Sequence, residues 1–362
     1  MALGVFTDDF YPHQGGMGRY VYEVTRRLKQ ERLFIFSPCR NHLPHHVRIQ
    51  PPFYRKLHNI SVSLWLHPNI RRLAQAYGLA CVYVHCGPGG LFLLSKPDVP
   101  VLATSHHTYW QQARFVPSQF WKRLLMPFEA RTYRIADRIV AVSEDTRRVL
   151  VDRYRIPPSK VAVIPNGVDR QKFHPLKHVE RIPDSIFYVG RVDTRKGLDF
   201  LIESLPLVLK RNPRAKLYVG GTGKHLPAYR HLVKTLGLEK HVDFLGYIPE
   251  ADLNEWYNRV MCLVVPSCFE GFGLTVVEAM AAGTSVVATE VDGLRALVRN
   301  GVNGYLVDYG NRDALSGRIA SLLEDPAAQR AFSQKGQEMV SSCFDWDAIA
   351  HRISAEIDRL RV

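Results

Sequence analysis

The sequence predicts an α/β protein with two doubly wound domains, each a parallel sheet covered on both faces by helices. The chain has 362 residues, which is long for one open α/β domain and suits two. Short apolar runs alternate with helical patterns along both halves. A segment with two prolines and mixed charges, Phe173–Pro183, separates the halves as a linker would. We therefore expect domains at residues 1–175 and 183–342, with a last segment at 343–362.

The first half begins with a strand at Leu3–Phe6, followed by a glycine-rich turn and a helix whose apolar residues recur at helical spacing. Ser143 is placed as the N-cap of a helix that begins at Glu144. Further short β-rich runs, bounded by Gly, Pro or polar residues, predict buried parallel strands. These runs are Val82–His85, Val99–Ser105 and Arg138–Val142.

The second half repeats the alternation, with five strands that are each followed by a helical pattern. The predicted strands are Ile186–Gly190, Lys216–Gly220, Val242–Leu245, Leu263–Pro266 and Ser285–Ala288. The last segment places Trp346, Ile349, Ile353 and Ile357 on one face of a helix.

The net charge of +14 lies in the first half of the chain. Residues 1–180 carry 26 Lys and Arg against 12 Asp and Glu, whereas residues 181–362 carry 22 of each. A basic face suits an anionic partner, which is a membrane surface, an acceptor or a nucleic acid. A solvated basic surface with no partner is the alternative.

The six cysteines form no CxxC pair and no metal-ligand spacing, which predicts free thiols in a reducing cytoplasm and no zinc site. No run approaches the roughly 18 apolar residues that a membrane span needs. The first ten residues are typical of a strand followed by two aspartates and not of a signal peptide. We therefore expect a cytoplasmic protein whose contact with a membrane, if it has one, is peripheral and at the inner face.

Ligands of open α/β sheets bind beyond the carboxyl ends of the strands, so the loops there are the candidate sites. The loop Gln14–Arg19 precedes a helix N-terminus, where free backbone N–H groups favour an anion. Polar residues Ser105–Thr108 end another strand, with imidazoles that could bind a hydroxyl or a phosphate. Gly190–Gly197 holds an Arg and a Lys five residues apart that can converge on a diphosphate. Gly220–Gly223 is typical of a simple turn.

The strongest candidate is the segment Pro266–Gly283. Glu270 follows a strand, whereas Glu278 falls inside the next helix among apolar residues, where an unpaired carboxylate would be costly. Gly271 and Gly273 leave the backbone N–H groups of a helix start free for an anionic or polar ligand. The pattern indicates acids that bind hydroxyls, and the alternative is a helix-capping acid with a structural ion pair.

These residues resemble a known family. Glu270 and Glu278 lie within S-x-x-E-G-F-G-L-x-x-x-E-A-M-A-x-G, which resembles the retaining glycosyltransferases of family 4. Further family features occur in order along nearly the whole chain. They are I-P-N-G-V-D at 164–169, G-R-x-x-x-x-K-G at 190–197 and F-L-G at 244–246. The resemblance implies the GT-B fold, in which two Rossmann-like domains face each other across a deep cleft and the final helix crosses back onto the N-terminal domain.

The resemblance also implies a role for each matching residue. Arg191 and Lys196 would bind the donor diphosphate, and Glu270 would bind hydroxyls of the sugar. His106 would contact the transferred sugar, with the adjacent His107 as the alternative. Glu278 would bind the ribose hydroxyls and Ile248 the nucleobase, both within the donor site. The other implied donor-binding residues are Gly16, Gly190, Phe272, Gly273, Leu274 and Thr275.

The implied reaction moves a hexose from a UDP- or GDP-sugar to an acceptor hydroxyl, on a lipid or another glycoconjugate precursor, with retention of configuration. It needs no metal and no cofactor beyond the nucleotide-sugar substrate. Two other enzyme classes share this architecture, sugar-nucleotide epimerases and phosphorylases, and the phosphorylase would need a pyridoxal-binding lysine that the sequence does not reveal. A nucleic-acid-binding protein is the non-enzyme alternative, although it leaves Glu270 and Glu278 without a use.

Two regions rich in basic and aromatic residues, Phe53–Arg72 and Tyr109–Arg134, suggest a lipid or membrane surface. Their aromatic residues could instead belong to the core or to an acceptor pocket. These residues are Trp65, Trp110, Phe115, Phe120 and Trp121.

Overall fold

The computed structural model describes residues 2–12, 15–28 and 32–360, with the backbone alone at 117–118. Gln14, the first residue of the predicted glycine-rich loop, lies outside the described residues, as do the ends of the chain. Two compact units make up the fold. The first unit comprises Met1–Asn166 and Trp346–Val362, and the second comprises Gly167–Asp345.

The first unit contains a seven-stranded parallel sheet in the order β3-β2-β1-β4-β5-β6-β7. Its strands are β1 Ala2–Phe6, β2 Arg32–Ser37, β3 His46–Arg48, β4 Leu79–Cys86, β5 Val101–Ser105, β6 Arg138–Ala141 and β7 Val161–Val163. Its helices are α1 Gly16–Thr25, α2 Tyr54–Ala76, α3 Tyr109–Phe115, α4 Met126–Ile135, α5 Glu144–Asp152 and α12 Trp346–Asp358, with 3₁₀ turns at Pro117–Leu125 and Pro158–Lys160.

The sheet of the first unit separates two apolar clusters, because successive residues of a strand point to opposite faces. Leu3 and Val5 of β1 pack into one cluster and Phe6 packs into the other. Helix α12 buries the predicted stripe Trp346, Ile349, Ile353 and Ile357 in the same cluster as Leu3. The last helix of the chain therefore belongs to the core of the first unit.

The second unit contains a six-stranded parallel sheet in the order β10-β9-β8-β11-β12-β13. Its strands are β8 Ser185–Val189, β9 Lys216–Gly220, β10 Val242–Gly246, β11 Cys262–Val265, β12 Ser285–Thr289 and β13 Tyr305–Val307. Its helices are α6 Leu198–Arg211, α7 Leu226–Thr235, α8 Leu253–Arg259, α9 Leu274–Ala281, α10 Arg312–Glu324 and α11 Pro326–Cys343, with a 3₁₀ turn at Thr194–Lys196.

The α/β class with two parallel sheets is confirmed, and each predicted strand is present with ends that shift by up to three residues. The Ser143 hydroxyl accepts a hydrogen bond from the Thr146 N–H at 3.2 Å, so the predicted N-cap is confirmed. Four strands were not predicted from the sequence, namely β2, β3, β7 and β13. Three of them are only three residues long, too short for a periodic pattern. No helix in the described part of the chain is long and apolar enough to cross a membrane.

Candidate active site

The candidate site of the second unit lies where its strand order reverses. Strands β8 and β11 are neighbours, and the chain builds the sheet outward from each of them in opposite directions. Such a switch point leaves a crevice at the carboxyl ends of the two strands. The loop that follows β8 is residues 190–197, and the loop that follows β11 is residues 266–273. Both sequence motifs therefore flank one crevice.

The two loops are fitted together through their backbones. Gly197 has a φ of +66°, and a Cβ at this position would lie 2.0 Å from the Pro266 carbonyl oxygen. Only glycine permits that approach. The N–H of Cys268 also donates to the Arg195 carbonyl at 3.0 Å. The side chains of both loops are thus held at fixed separations.

Lys196, Arg195 and Glu270 form the polar centre of the crevice. The Lys196 ammonium donates a hydrogen bond to Glu270 Oε1, which also accepts from the Ser267 hydroxyl at 3.0 Å. Arg195 lies 3.5 Å from Glu270 Oε2 and donates to the Phe269 carbonyl at 3.0 Å. Glu270 is 6% exposed, so one buried carboxylate faces two cations.

The Glu270 carboxylate of this cluster is ionised at physiological pH. Burial by itself raises the pKa of Glu270, but Lys196 and Arg195 outweigh it and lower the pKa to about 2. Burial lowers the pKa of Lys196, and the Glu270 carboxylate opposes that shift. The cluster therefore presents an ionised carboxylate beside positive charge that an incoming anion could also use.

Helix α9 contains Glu278, the second predicted acid, and begins at the end of the loop that contains Glu270. Gly273 caps it with a φ of +103°, and the half-buried Leu274 and Thr275 form its first turn. A helix start of this kind offers unpaired N–H groups to a ligand. Glu278 lies one turn further on, buried, and accepts a hydrogen bond from the Tyr257 hydroxyl at 2.8 Å. Phe272 is buried against Phe344, with ring centroids 5.7 Å apart.

The remaining predicted residues of this unit lie on neighbouring loops. Gly190 directly follows β8, and its N–H donates to the carbonyl of Gly220 at 3.0 Å. Ile248 is buried after β10 and covers Gly220. Arg191 is exposed and makes no ion pair with any residue that the structure describes. The 190–197 loop therefore contributes Lys196 and Arg195 to the cluster with Glu270, and it leaves Arg191 in solvent.

In the first unit, the strand order reverses between β1 and β4. Gly16 is the exposed first residue of α1, which follows β1. The Asp9 carboxylate accepts from the N–H of Gly18 at 3.2 Å, so the chain itself supplies one acidic partner to this helix end.

His106 follows β5 and is 7% exposed. Its Nε2 lies 3.3 Å from Nδ1 of the fully buried His85, and its ring packs edge-on against Tyr20 at 4.9 Å. Burial lowers the pKa of His106 to about 3, so its imidazole is neutral at physiological pH. His107 is half-buried beside it, which makes His106 the more enclosed of the two histidines.

Three residues of the candidate site in the second unit were not predicted individually from the sequence. Arg195 stands in the quoted loop beside Lys196, and Ser267 is the serine of the S-x-x-E pattern, so the sequence held a signal for both. Tyr257 comes from α8, 21 residues before its partner Glu278, and no local pattern links them. Its role depends on how α8 packs against α9.

Comparisons with known proteins identify the family of this chain. Residues 171–339 match the model of glycosyl transferases group 1, and residues 14–172 match the model of glycosyltransferase family 4. The D-inositol 3-phosphate glycosyltransferase of Geodermatophilus obscurus is 34% identical over 92% of this chain and 82% of its own. Matches to two other curated relatives span only 57% and 56% of those proteins.

Solved structures share the fold at lower identity. Sucrose-phosphate synthase from Thermosynechococcus elongatus superposes with a TM-score of 0.83 and 23% identity over 99% of both chains. Anabaena HepE in complex with UDP-glucose gives a TM-score of 0.76 and 18% identity over 99% of this chain and 100% of that one. The fold is that of the GT-B glycosyltransferases. The chain belongs to the group 1 glycosyltransferases of the family 4 type, which confirms the resemblance of its motifs.

Proposed function

We propose that this chain transfers a hexose from a UDP- or GDP-linked sugar to an acceptor hydroxyl, with retention at the anomeric carbon. The observation that carries the proposal is the cluster of Lys196, Arg195 and Glu270 at the switch point of the second sheet. Cations suit the diphosphate of such a donor, and an ionised carboxylate suits its sugar hydroxyls. The UDP-glucose bound by Anabaena HepE favours UDP as the nucleotide.

In the proposed step, the bond between the anomeric carbon and the donor phosphate oxygen breaks, and its electron pair leaves with the nucleoside diphosphate. The acceptor oxygen bonds to the same face of the anomeric carbon, and its proton passes to a diphosphate oxygen. Lys196 and Arg195, joined by Arg191 from solvent, stabilise the negative charge that develops on the diphosphate. We propose that these cations suffice without a metal.

Glu270 has two tasks in this proposal. Its carboxylate holds Lys196 and Arg195 in place before the donor binds, and it accepts hydrogen bonds from the sugar afterwards. Glu278, oriented by Tyr257, is proposed to bind the ribose hydroxyls. His106 contributes as a neutral hydrogen-bonding group and not as an acid, because its pKa is about 3. Gly16, Gly190, Ile248, Phe272, Gly273, Leu274 and Thr275 complete the proposed donor contacts.

The acceptor is proposed to be a hydroxyl of a lipid-linked or other glycoconjugate precursor. The excess positive charge of residues 1–180 suits an acceptor that carries phosphate. The name of the Geodermatophilus relative, D-inositol 3-phosphate glycosyltransferase, supports an acceptor of this chemistry. A cytoplasmic location is proposed with it, since nucleotide sugars are the donors.

The test measures nucleotide release by the purified protein from UDP- and GDP-sugars, with and without phosphorylated polyol and lipid-linked acceptors. We expect release that depends on the acceptor, survives chelation of divalent metals and yields a product with the donor's anomeric configuration by NMR. Conversion of the donor alone to an epimer would identify an epimerase and overturn the proposal. Inverted product, or activity that chelation abolishes, would overturn retention or metal independence respectively.

A further inference from the structure

The 3₁₀ helix Pro117–Leu125 and the start of α4 concentrate exposed apolar side chains. Phe120 and Trp121 are each 57% exposed, Leu124 is 75% exposed and Phe128 is 46% exposed. In the described part of the first unit, these four are half of the large hydrophobic residues that lie open to solvent. The cost of exposing them together favours a partner that covers them.

The structure separates the five aromatic residues that the sequence analysis named, and it also leaves Phe53, at the start of the first region, 73% exposed. Trp65 and Trp110 pack against the core of the first unit, and Phe115 is half-buried. Of those five, Phe120 and Trp121 are the exposed ones, and the sequence did not single out Leu124 or Phe128. We call the four residues Phe120, Trp121, Leu124 and Phe128, with the cations around them, the aromatic-basic surface.

Positive charge lies beside two of these apolar side chains. Arg123 lies over the Phe120 ring at 4.1 Å, and Lys122 lies 6.0 Å from the Trp121 ring centroid. Between Tyr109 and Ile135 the sequence holds five Lys or Arg and one acid, Glu129. Glu129 is fully buried, so the exposed charges of this segment are all positive.

From this combination we propose that the aromatic-basic surface docks on an anionic lipid bilayer, with the four apolar side chains inserted among the headgroups. Lys and Arg at the rim meet lipid phosphates, while Trp and Leu enter the interface. Charge alone would suit a nucleic acid equally well. Leu124, the most exposed of the four, has no use against a phosphate backbone and gains from burial in lipid.

The experiment is co-sedimentation of the full chain with vesicles of phosphatidylcholine alone and with vesicles that also contain phosphatidylglycerol. We expect binding to the mixed vesicles and little to the neutral ones, with release at high salt. The substitutions K122E and R123E together should weaken binding by about thirtyfold or more, since two cations leave the surface. W121S and L124S together should weaken it by roughly tenfold or more.

Matched controls lie in the second unit. K234E with K240E makes the same change of net charge at exposed positions, and L236S with V302S removes two exposed apolar side chains. Both controls should bind mixed vesicles like the wild type, and circular dichroism with thermal melting should show all four variants folded. The proposal would be overturned by equal binding to neutral and mixed vesicles or by no binding to either. It would also be overturned if the variants of the aromatic-basic surface bound like the controls.

Light scattering without lipid tests whether a second copy of the chain covers the aromatic-basic surface. If a second copy of the chain covers the surface, the wild type will be a dimer and W121S with L124S will be a monomer, which would also overturn the lipid assignment. Because these readouts do not use enzyme activity, they stay valid whether or not the proposed glycosyl transfer is correct.

Discussion

Glu129 in the first unit and Glu270 in the second are carboxyl groups with almost the same burial, 0% and 6% exposed, but with opposite electrostatic behaviour. Burial raises the pKa of Glu129 to about 8, and hydrogen bonds from Tyr154, Tyr109 and Tyr133 offset it only in part. The pKa of Glu270 is about 2, because Lys196 and Arg195 outweigh the same effect of burial. Glu129 is thus mostly protonated at neutral pH, whereas Glu270 is ionised.

The difference shows that partner charge decides what a buried acid can do. Neutral donors satisfy Glu129, with the Tyr133 hydroxyl at 3.1 Å and the Tyr109 N–H at 3.0 Å, and the group ties α3 to α4 inside the core. The cations beside Glu270 keep a charged cluster at the edge of a sheet, where a ligand can reach it. The neighbours of a buried acid, and not its burial, therefore decide whether it carries a charge.

The charged cluster around Glu270 should be the most sensitive to substitution. Lys196→Ala removes the cation nearest Glu270, and we expect kcat/KM for sugar transfer to fall by about 10²-fold or more. Lys210→Ala, an exposed lysine on α6, is the matched control and should keep normal activity. Steady-state kinetics with a saturating acceptor measure both variants. A Lys196→Ala enzyme with near-normal kcat/KM would contradict the assignment.

Glu270→Gln keeps the shape of the side chain and removes its charge. It leaves Lys196 and Arg195 without their anion, so we expect a loss of about 1–3 kcal/mol in the free energy of unfolding at pH 7. Since the folded pKa is about 2 and the ordinary value is 4.5, this stabilisation is present above pH 4.5 and is lost as the pH falls through 2.

Urea denaturation of the wild type and Glu270→Gln at pH 7 and at decreasing pH measures the difference. The gap between them should close toward pH 2. In a Lys196→Ala background, Glu270→Gln should cost less, because the main partner is already gone. A gap that is independent of pH would mean that the carboxylate is not stabilised by its cations.

For Glu129 we expect the free energy of unfolding to depend on pH in the opposite direction. The folded pKa of Glu129 is above its ordinary value of 4.5, so the bound proton stabilises the fold fully below pH 4.5, and this is lost as the pH rises through 8. Between these values the wild type should lose up to about 1.4 kcal/mol per pH unit relative to Glu129→Gln. Parallel denaturation curves for the two proteins across this range would show that Glu129 is ionised in the fold.

Of these variants, Tyr154→Phe should change the free energy of unfolding least. It removes one hydrogen bond to Glu129 and should cost about 0.5–1.5 kcal/mol at pH 7. Because that hydrogen bond lowers the Glu129 pKa, its loss should move the pH-dependent window upward. Denaturation of Tyr154→Phe across the same pH range tests this, and an unshifted window would mean that Tyr154 does not stabilise the ionised form.

Much of the fold and part of the site were predictable from the sequence. Short apolar runs predicted most of the strands, and the loops after β8 and β11 contain the residue types that a diphosphate and a sugar require. Arg191 and Lys196 have equal standing in the sequence, yet Lys196 contacts Glu270 and Arg191 lies in solvent. Lys196 lies in the short 3₁₀ turn at Thr194–Lys196. Its partner Glu270 belongs to the loop after β11, 74 positions further along the chain, so only the fold shows which of the two cations turns inward.

Local patterns in the sequence predict most of the longer strands and the loops that follow them, the glycines that allow close backbone approach, and the placement of excess positive charge in the first half. These features depend on local periodicity and composition, which the chain carries at each position. Tertiary structure alone decided the protonation of Glu129 and Glu270, the partnership of Tyr257 with Glu278, and which aromatics face solvent. Each of these depends on groups that folding brings from distant parts of the chain, as in the 74 residues between Lys196 and Glu270.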